Sequence, residues 1–336
     1  MNDKIDFVIL WVDGSDPKWL KEKEKYNPNK VKKDGVDGAI RFRDWDNLKY
    51  WFRGVEKFAP WVNNIYFITW GHLPKWLNTN HPKLKIIKHE DYIPKKYLPV
   101  FSSNPIELNI NRIKGLSEHF VLFNDDMFLI NDVAPEDFFI NGLPVDNYNE
   151  VNLDTSNEDP IFASILKNNY RILSKFYNKR KIILTHPSKY LNFKYGFDKN
   201  IRTIKNTITK SNFVGVNNNH IYQPFLKSYF DKAWDKIHDE MDNTSSNRFR
   251  SATDINQFLI RYFQLLDGNF IPKGYADGKY FAIHQDNTDI INYIENRMGK
   301  CICINDTDPN IDFEKSKREI NAAFDKILSE ISKFEK

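Results

Sequence analysis

Short apolar runs alternate with helical patterns through residues 5–129, and this alternation limits the fold class. Residues 5–11 (IDFVILW) form an apolar run that stops at turn-forming residues, which predicts a buried strand. Residues 46–59 instead carry apolar side chains at helical spacing and end before Pro60, which predicts a helix. Further strand patterns occupy residues 64–70, 84–88 and 119–123. Strands that alternate with helices predict an α/β fold with a mostly parallel sheet, whose ligand site lies beyond the carboxyl ends of the strands.

The rest of the chain predicts a continuation of this fold and an insertion. A helix is predicted after Asn104, because Pro105 suits the first helical position and isoleucines follow at helical spacing. Residues 145–210 are rich in Asn and Lys and show weak periodicity, which predicts an inserted subdomain. We therefore expect one main domain from residues 1–144 and 211–336. Further elements are predicted as helices near 223–241, 253–266 and 313–334 and a strand at 301–304.

The composition is that of a folded, mildly basic protein. The 336 residues are 41% hydrophobic, which excludes a disordered chain, and the net charge of +4 suits anionic ligands or a membrane surface. The first residues, MNDKIDFVIL, lack the pattern of a signal peptide, and no apolar run reaches the length of a membrane span, about 18 residues. The two cysteines fit reduced thiols, so we expect a cytoplasmic protein.

An acidic triplet, Asn124-Asp125-Asp126, directly follows the predicted strand at residues 119–123. Paired carboxylates at a strand end are the ligands that Mg²⁺ or Mn²⁺ requires when the cation also binds diphosphate oxygens. A solvated Asn-Asp turn is the competing interpretation. The position after a buried strand gives the two interpretations equal weight.

A second polar loop, at the same predicted edge of the sheet, contains Asp13, Gly14 and Asp16. Gly14 would allow the backbone to approach a nucleotide closely, although an ordinary Asp-Gly-Pro turn has the same composition. Asp6 lies inside the first strand, where an unpaired carboxylate would be costly to bury. It therefore either faces solvent or accepts specific hydrogen bonds.

Four other residues suit either chemistry or structure. Glu107 lies three residues after Asn104, a spacing that fits a capping box as well as an active site. His220 is an isolated histidine, and such residues are more often structural than catalytic. Arg53 and Arg250 have forked donors that suit phosphate, yet arginines on helix surfaces are usually solvated.

Four separated blocks of the sequence resemble, in order, the four regions of the Stealth family of phosphotransferases. That family includes bacterial capsular polysaccharide hexose-1-phosphate transferases and the animal enzyme that places N-acetylglucosamine-1-phosphate on lysosomal glycoproteins. The first block is IDFVILWVDGSDPKW, near residues 5–19. The others lie near 41–142, which contains RFRDWDNLKYWFRG and EHFVLFNDDMFL, near 212–262, which contains NTSSNRFRSATDIN, and near 297–336, which contains KCICIND. One departure is Val100, where the family usually has threonine.

The resemblance implies a nucleotide-sugar-binding core similar to type A glycosyltransferases. It also implies functions for individual residues. Asp13 is added to these candidates because of the composition of its loop, not because of the resemblance. The catalytic set is His220, Glu107, Asp126 and Arg250; the nucleotide-binding set is Asp6, Asp13, Arg53 and Asn305; the metal ligands are Asp125 and Asp126.

The implied reaction transfers a hexose- or N-acetylhexosamine-1-phosphate from a UDP-sugar to a glycan hydroxyl, with Mg²⁺ or Mn²⁺, and releases UMP. His220 or Glu107 would accept the hydroxyl proton, and the sequence does not rank them. The nearest alternative is a metal-dependent glycosyltransferase that releases UDP. A non-catalytic carbohydrate- or nucleic-acid-binding protein is disfavoured, because the sequence has no basic stripe and does have acidic strand ends. We expect a lipid-linked acceptor, hence a peripheral membrane contact, and no nucleic acid partner.

Overall fold

The computed structural model describes residues 4–27, 43–156, 158–218, 220–274 and 277–336. Its strands are, in chain order, β1 (Ile5–Leu10), β2 (Ile65–Thr69), β3 (Leu84–Lys88), β4 (His119–Phe123), β5 (Met127–Leu129), β6 (Phe139–Ile140), β7 (Leu143–Asp146), β8 (Gln223–Leu226), β9 (Ile271–Pro272), β10 (Gly278–Ala282) and β11 (Cys301–Asn305). Its α-helices are α1 (Pro17–Tyr26), α2 (Leu48–Phe58), α3 (His89–Tyr92), α4 (Ser103–Leu108), α5 (Pro160–Phe176), α6 (Lys179–Thr185), α7 (Pro187–Tyr190), α8 (Phe197–Thr209), α9 (Lys227–Lys236), α10 (His238–Ser246), α11 (Gln257–Leu266), α12 (Thr288–Glu295) and α13 (Phe313–Ile327).

A five-stranded sheet forms the centre of the molecule, with the strand order β3-β2-β1-β4-β8. Strand β1 pairs in parallel with β2 and β4, and β2 pairs in parallel with β3, whereas β8 is antiparallel to β4. Every residue of β2 is buried. Because alternate side chains of a strand point to opposite faces, the sheet is covered on both faces at β2. The predicted α/β fold with a mostly parallel sheet is confirmed.

A smaller sheet, with the order β10-β11-β5, lies next to the loop that follows β4. Strand β5 starts at Met127, directly after the acidic triplet, and is antiparallel to β11 with Met127 opposite Cys303. The predicted strand at 301–304 is therefore confirmed as β11, and it is held against the carboxyl end of β4. A third sheet has the order β6-β7-β9.

The predicted helices near 46–59, 253–266 and 313–334 correspond to α2, α11 and α13, which are shorter than predicted. In α2, Trp51 and Phe52 lie on the buried face with no exposed surface. An apolar stripe at helical spacing thus predicted the packed face of this helix correctly.

The helix predicted to start at Pro105 starts two residues earlier, at Ser103, and ends at Leu108. The capping residue is Ser102, which has an extended backbone (φ −119°, ψ 143°) and accepts a hydrogen bond from the Asn104 amide. Asn104 lies inside the helix, so its predicted role as the cap is wrong. Serine and asparagine are similarly favoured as caps, because the side-chain oxygen of either can accept a hydrogen bond from a free backbone N–H of the first turn.

The helix predicted at 223–241 is also wrong in its bounds. Residues 223–226 form β8, because pairing with β4 overrides the local helical pattern. The remainder divides into α9 and α10 at Ile237, whose backbone (φ −134°, ψ 47°) is not helical.

The segment between β7 and β8 contains α5, α6, α7 and α8. The hydroxyls of Tyr170 on α5 and Tyr262 on α11 lie 2.9 Å apart and hydrogen-bond, which fixes the segment to the main body. Arg261 on α11 is buried and joins the two ends of the segment. Its guanidinium donates to both carboxylate oxygens of Asp146 (2.8 Å each) and to the carbonyl of Asn217 (3.1 Å). The division of the chain into residues 1–144 with 211–336 and an insertion at 145–210 stays a prediction.

Candidate active site

Asp126 is held at the carboxyl end of the central strand β4 by contacts from the C-terminal strand β11. The backbone amide of Ile304 donates to the carbonyl of Asp126 (2.9 Å), and Asn305 Nδ2 donates to Asp126 Oδ2 (3.2 Å). The Nε2 atom of His220 lies 3.7 Å from the same carboxylate oxygen. Three segments that are distant in sequence therefore meet at one carboxylate, at the sheet edge where α/β folds bind ligands.

The surroundings of Asp126 keep its carboxylate ionised. Burial disfavours the charge, but the positive potential of His220 and polar contacts from Cys303 and Asn305 outweigh burial and lower the pKa of Asp126 below its ordinary value. The other carboxylate oxygen, Oδ1, is buried and accepts no hydrogen bond from the residues that the structure describes. A buried ionised oxygen without a donor is suited to bind a cation.

The residues around this oxygen fit a hard divalent cation. Asp126, His220 and Cys303 have ligand atoms that all lie within 4.8 Å of one another. Burial raises the pKa of the Cys303 thiol well above its ordinary value, so the thiol is protonated near neutral pH and is a poor ligand. Oxygen ligands remain from Asp126, the adjacent Asp125 and Asn305. Such a donor set suits Mg²⁺ or Mn²⁺.

Asp125 differs from Asp126 in its exposure to solvent. Its side chain is exposed, although it belongs to the same loop. The surrounding protein and then the Asp126 carboxylate raise the pKa of Asp125, and water limits this shift because it screens an exposed charge. Asp125 is therefore accessible to a ligand or cation that approaches from solvent.

Glu107 and Arg250 form a second part of the site. The Glu107 side chain is 2% exposed, and burial raises its pKa to about 8, although the positive charges of Arg250 and His220 oppose the shift. Arg250 Nη2 donates to Ser103 Oγ (3.2 Å), and Arg250 and Ser103 both favour the ionised form of Glu107. Because Ser102 caps α4, the capping-box interpretation of Glu107 is wrong. The structure instead places Glu107 near Arg250 and His220.

The loop that carries Arg250 is fixed by a buried aspartate, Asp254. Its carboxylate accepts hydrogen bonds from Asn247 Nδ2 (2.7 Å) and the Ser251 amide (3.0 Å), on either side of Arg250. It also accepts one from Asn104 Nδ2 (3.0 Å) on α4, the helix that carries Glu107. Asp254 thus ties the two elements of this part of the site together.

Asp6 lies at the opposite end of the sheet from Asp126. Its Oδ1 accepts hydrogen bonds from Asn63 Nδ2 (2.7 Å) and the Asn64 amide (3.0 Å), and its Oδ2 accepts one from the Ser117 amide (2.8 Å). These partners precede β2 and β4, so Asp6 joins the amino ends of three adjacent strands. The expectation that a buried Asp6 needs specific partners is met, but the structure does not bring this residue to the site.

Arg53 makes its hydrogen bonds outside the Asp126 cluster. Its Nε and Nη2 donate to the two carboxylate oxygens of Glu335 (2.7 and 2.9 Å), and its Nη1 donates to the carbonyl of Leu328 (3.0 Å). The guanidinium is therefore engaged by the C-terminal residues that follow α13. This placement gives Arg53 a structural function in holding the C-terminal segment against α2.

Asp13 lies in the loop after β1, at the same sheet edge as Asp126. Its backbone amide donates to His72 Nε2 (2.7 Å), and its Oδ1 accepts hydrogen bonds from the amide and hydroxyl of Ser15 (2.9 and 2.6 Å). The carboxylate thus shapes its own turn. Nucleotide binding by Asp13 stays a prediction.

Two residues of the site were not predicted, and each had a signal in the sequence. Cys303 and Asn305 are two apart on β11, so their side chains share a face, and the predicted function of Asn305 could have extended to its neighbour. Asp254 is an acidic residue that follows Arg250 by four positions in a polar loop. The pairing of Asp254 with Asn104 joins residues 150 positions apart, which spacing alone does not predict.

The first two Stealth regions match family models: conserved region 1 at residues 3–31 and conserved region 2 at residues 41–145. The chain is 43% identical to the capsular polysaccharide phosphotransferase WcwK of Streptococcus pneumoniae over 99% of its length and 98% of that protein. The chain belongs to the Stealth family. It is 40% identical to the exopolysaccharide phosphotransferase cps2G of Lactiplantibacillus plantarum, over 99% of this chain and 96% of the relative. As a Stealth protein it is a phosphotransferase, which confirms the predicted family and enzyme class; its matches to the third and fourth regions stay predictions.

Solved structures similar to this Stealth protein include glycosyltransferases. The galactosyltransferase LgtC matches over 94% of this chain and 95% of its own, with a TM-score of 0.39 and 9% identity. Mouse xyloside xylosyltransferase 1 matches over 89% of this chain and 97% of its own, with a TM-score of 0.34 and 7% identity.

Proposed function

We propose that this Stealth protein transfers a sugar-1-phosphate from a UDP-sugar to a hydroxyl of a capsular or other cell-surface polysaccharide, and releases UMP. The acceptor oxygen forms a bond to the sugar-bearing phosphorus, while the bond from that phosphorus to the bridging oxygen breaks. The observation that supports this best is the ionised, half-buried Asp126, whose buried Oδ1 has no hydrogen-bond partner among the described residues, next to His220 at the carboxyl edge of the sheet. The names of the relatives, which are polysaccharide phosphotransferases, support the substrate class.

We propose that Asp126, with Asp125 or Asn305, holds a Mg²⁺ or Mn²⁺ ion. When bound, such an ion neutralises the charge of the diphosphate and stabilises the charge that develops around phosphorus. We propose that Arg250, which donates to Ser103 on the helix that carries Glu107, pairs with the transferred phosphate. Arg53 is not given this role, because Glu335 engages its Nε and Nη2 and the carbonyl of Leu328 engages its Nη1.

The structure supports His220 over Glu107 as the group that accepts the proton of the acceptor hydroxyl. The side chain of His220 is 34% exposed, so an acceptor can reach it, and the Asp126 carboxylate 3.7 Å away stabilises the imidazolium that forms. Glu107 is buried, and its raised pKa of about 8 keeps it mostly protonated near neutral pH. We propose that Glu107 helps to position the loop of Arg250 rather than removing a proton.

The acceptor and the place of the reaction are also proposals. We propose a glycan acceptor carried on a lipid at the inner face of the cell membrane, since nucleotide sugars are cytoplasmic donors. Within the described parts of the chain, each helix is too short or too polar to cross a bilayer. The enzyme would then meet its acceptor by peripheral contact with the membrane.

The experiment that tests the proposed function identifies both products. Purified enzyme is incubated with a panel of UDP-sugars, a divalent cation and an acceptor glycan; the nucleotide is separated by chromatography and the glycan is examined by ³¹P NMR. UMP together with a phosphodiester resonance is the expected result, with the donor's anomeric configuration retained because the sugar–oxygen bond is not broken. UDP with a phosphate-free glycan would show instead a glycosyltransferase with the same donor.

A further inference from the structure

Helix α8 has its apolar face outward. Phe197, Ile201, Ile204 and Ile208 follow one another at intervals of four, three and four residues, which places them on one side of a helix. All four side chains are exposed, Phe197 by 78% and Ile208 by 67%. An amphipathic helix of a soluble monomer normally directs such a stripe toward the core.

The opposite side of α8 is held by polar contacts. Thr203 and Asn206 are the buried residues of the helix. The carbonyl of Asn206 accepts a hydrogen bond from the buried amine of Lys179 (3.0 Å), and the carbonyl of Ile208 accepts one from Arg180 Nη2 (2.8 Å). The helix is therefore fixed in an orientation that presents its apolar stripe to the surroundings.

Two neighbouring elements extend this apolar surface. Phe193 lies four residues before the start of α8 and is 83% exposed, and Leu184 on α6 is 78% exposed. Helix α6 is attached to the end of α8 through Arg180 Nε and the carbonyl of Thr207 (3.0 Å). We call the exposed apolar side chains of this region the α8 surface: Leu184, Phe193, Phe197, Ile201, Ile204 and Ile208.

The same region concentrates positive charge. Residues 179–210 contain nine Lys or Arg residues and one acidic residue, a net charge of +8 against +4 for the whole chain, so the expectation of no basic stripe is wrong for this segment. The remainder of the chain is therefore net negative. Lys179 does not add to the surface charge, because it is buried and pairs with Glu150. Lys181 and Lys205, among these basic residues, are exposed. Apolar side chains surrounded by basic residues are the composition that binds an anionic lipid interface.

We infer that the α8 surface docks the enzyme on an anionic membrane, with its apolar side chains in the headgroup region and its basic residues on lipid phosphates. A second copy of the chain is a weaker candidate, because a two-fold interface would place two +8 segments against each other. A soluble polyanion would pair with the lysines but would leave the phenylalanines in water. This inference does not depend on which bond the enzyme makes.

The test is cosedimentation of the full-length enzyme with vesicles, without substrates. Vesicles of phosphatidylcholine alone are compared with vesicles that also contain phosphatidylglycerol, at low and high salt. We expect binding to the anionic vesicles, weakened by salt. The Phe193→Ser/Phe197→Ser variant and the Lys181→Glu/Lys205→Glu variant should each bind at least about tenfold more weakly. Their side chains are exposed, so circular dichroism and thermal unfolding should match the wild type.

Control variants make the same kinds of substitution outside the α8 surface. Ile331 is 72% exposed in the C-terminal segment, and Lys114 and Lys315 are exposed outside residues 179–210. The Ile331→Ser and Lys114→Glu/Lys315→Glu variants should bind anionic vesicles like the wild type. Equal losses in the controls, no preference for anionic vesicles, or binding that the Phe193→Ser/Phe197→Ser variant leaves unchanged would each overturn the inference. The inference would also be overturned if the wild type formed a dimer and bound no vesicles, and the Phe193→Ser/Phe197→Ser variant were a monomer.

Discussion

Substitution of Asp6 by asparagine separates a structural function of this residue from a catalytic one. The carboxylate accepts four hydrogen bonds from three residues, Asn63, Asn64 and Ser117, and it is fully buried. Asparagine has the same shape, but its amide group would face the Ser117 amide, so one buried donor would lose its acceptor. That costs about 1–3 kcal/mol, and the loss of a charged acceptor weakens the other bonds.

We therefore expect the free energy of unfolding of Asp6→Asn to fall by about 2–4 kcal/mol, which for a chain of this size lowers the melting temperature by roughly 5 °C. The turnover of the folded fraction should stay close to that of the wild type. The assay combines urea unfolding with UMP release at a temperature where both proteins are folded.

Asp126→Asn is the matched control, because it makes the same chemical change at the other end of the sheet. This variant should unfold like the wild type but lose at least about two decades of kcat/KM. An Asp6→Asn protein with wild-type stability and a loss of activity as large as that of Asp126→Asn would refute the reasoning. It would show that Asp6 acts on the nucleotide, as the family resemblance implies.

Three further outcomes are expected. EDTA should abolish turnover and Mg²⁺ or Mn²⁺ should restore it; full turnover in EDTA would exclude a metal function. His220→Gln should lower kcat near neutral pH by at least about 100-fold, whereas Glu107→Gln, which resembles the protonated carboxyl, should retain most of it; the reverse order would contradict the base assignment. Burial lowers the pKa of His89 from 6.5 to about 3, so the unfolded chain takes up a proton that the folded chain does not. Above pH 6.5 this histidine does not affect the free energy of unfolding, and as the pH decreases from 6.5 toward 3 it lowers that free energy by up to about 1.4 kcal/mol per pH unit. Urea unfolding at two pH values in this range should therefore show a smaller loss of stability for His89→Gln than for the wild type. An equal loss in both proteins would contradict the prediction.

The sequence predicted the parts of the site that depend on strand direction. A carboxylate directly after β4 lies at the carboxyl edge of a parallel sheet, so the position of Asp126 followed from the order of strands and helices. The same reasoning could have separated Asp6 from the site, because it is the second residue of β1 and a residue near the start of a strand lies at the other edge. A family motif indicates that a residue type is needed at a position but not what it contacts.

Other features depend on contacts that the sequence does not show. Arg53 has the donors to bind phosphate, yet Glu335, 282 positions later, engages them. Helices α6 and α7 contain seven and four residues, too few to produce a clear periodicity. Residues 223–226 were predicted as the start of a helix and form a strand because they pair with β4. In each case a distant partner determines the outcome.

The buried guanidinium of Arg261 has a consequence for how enzymes of this kind can diversify. It binds Asp146 at the start of the helical segment and Asn217 and Asn218 at its end, so both ends of some seventy residues of chain meet at one side chain. A segment whose two ends are hydrogen-bonded to one side chain can change in length or surface composition while β7 and β8 stay in place. Exchanging the whole segment between relatives, with these four residues kept, would then change the surface that the segment presents while β8 stays paired with β4.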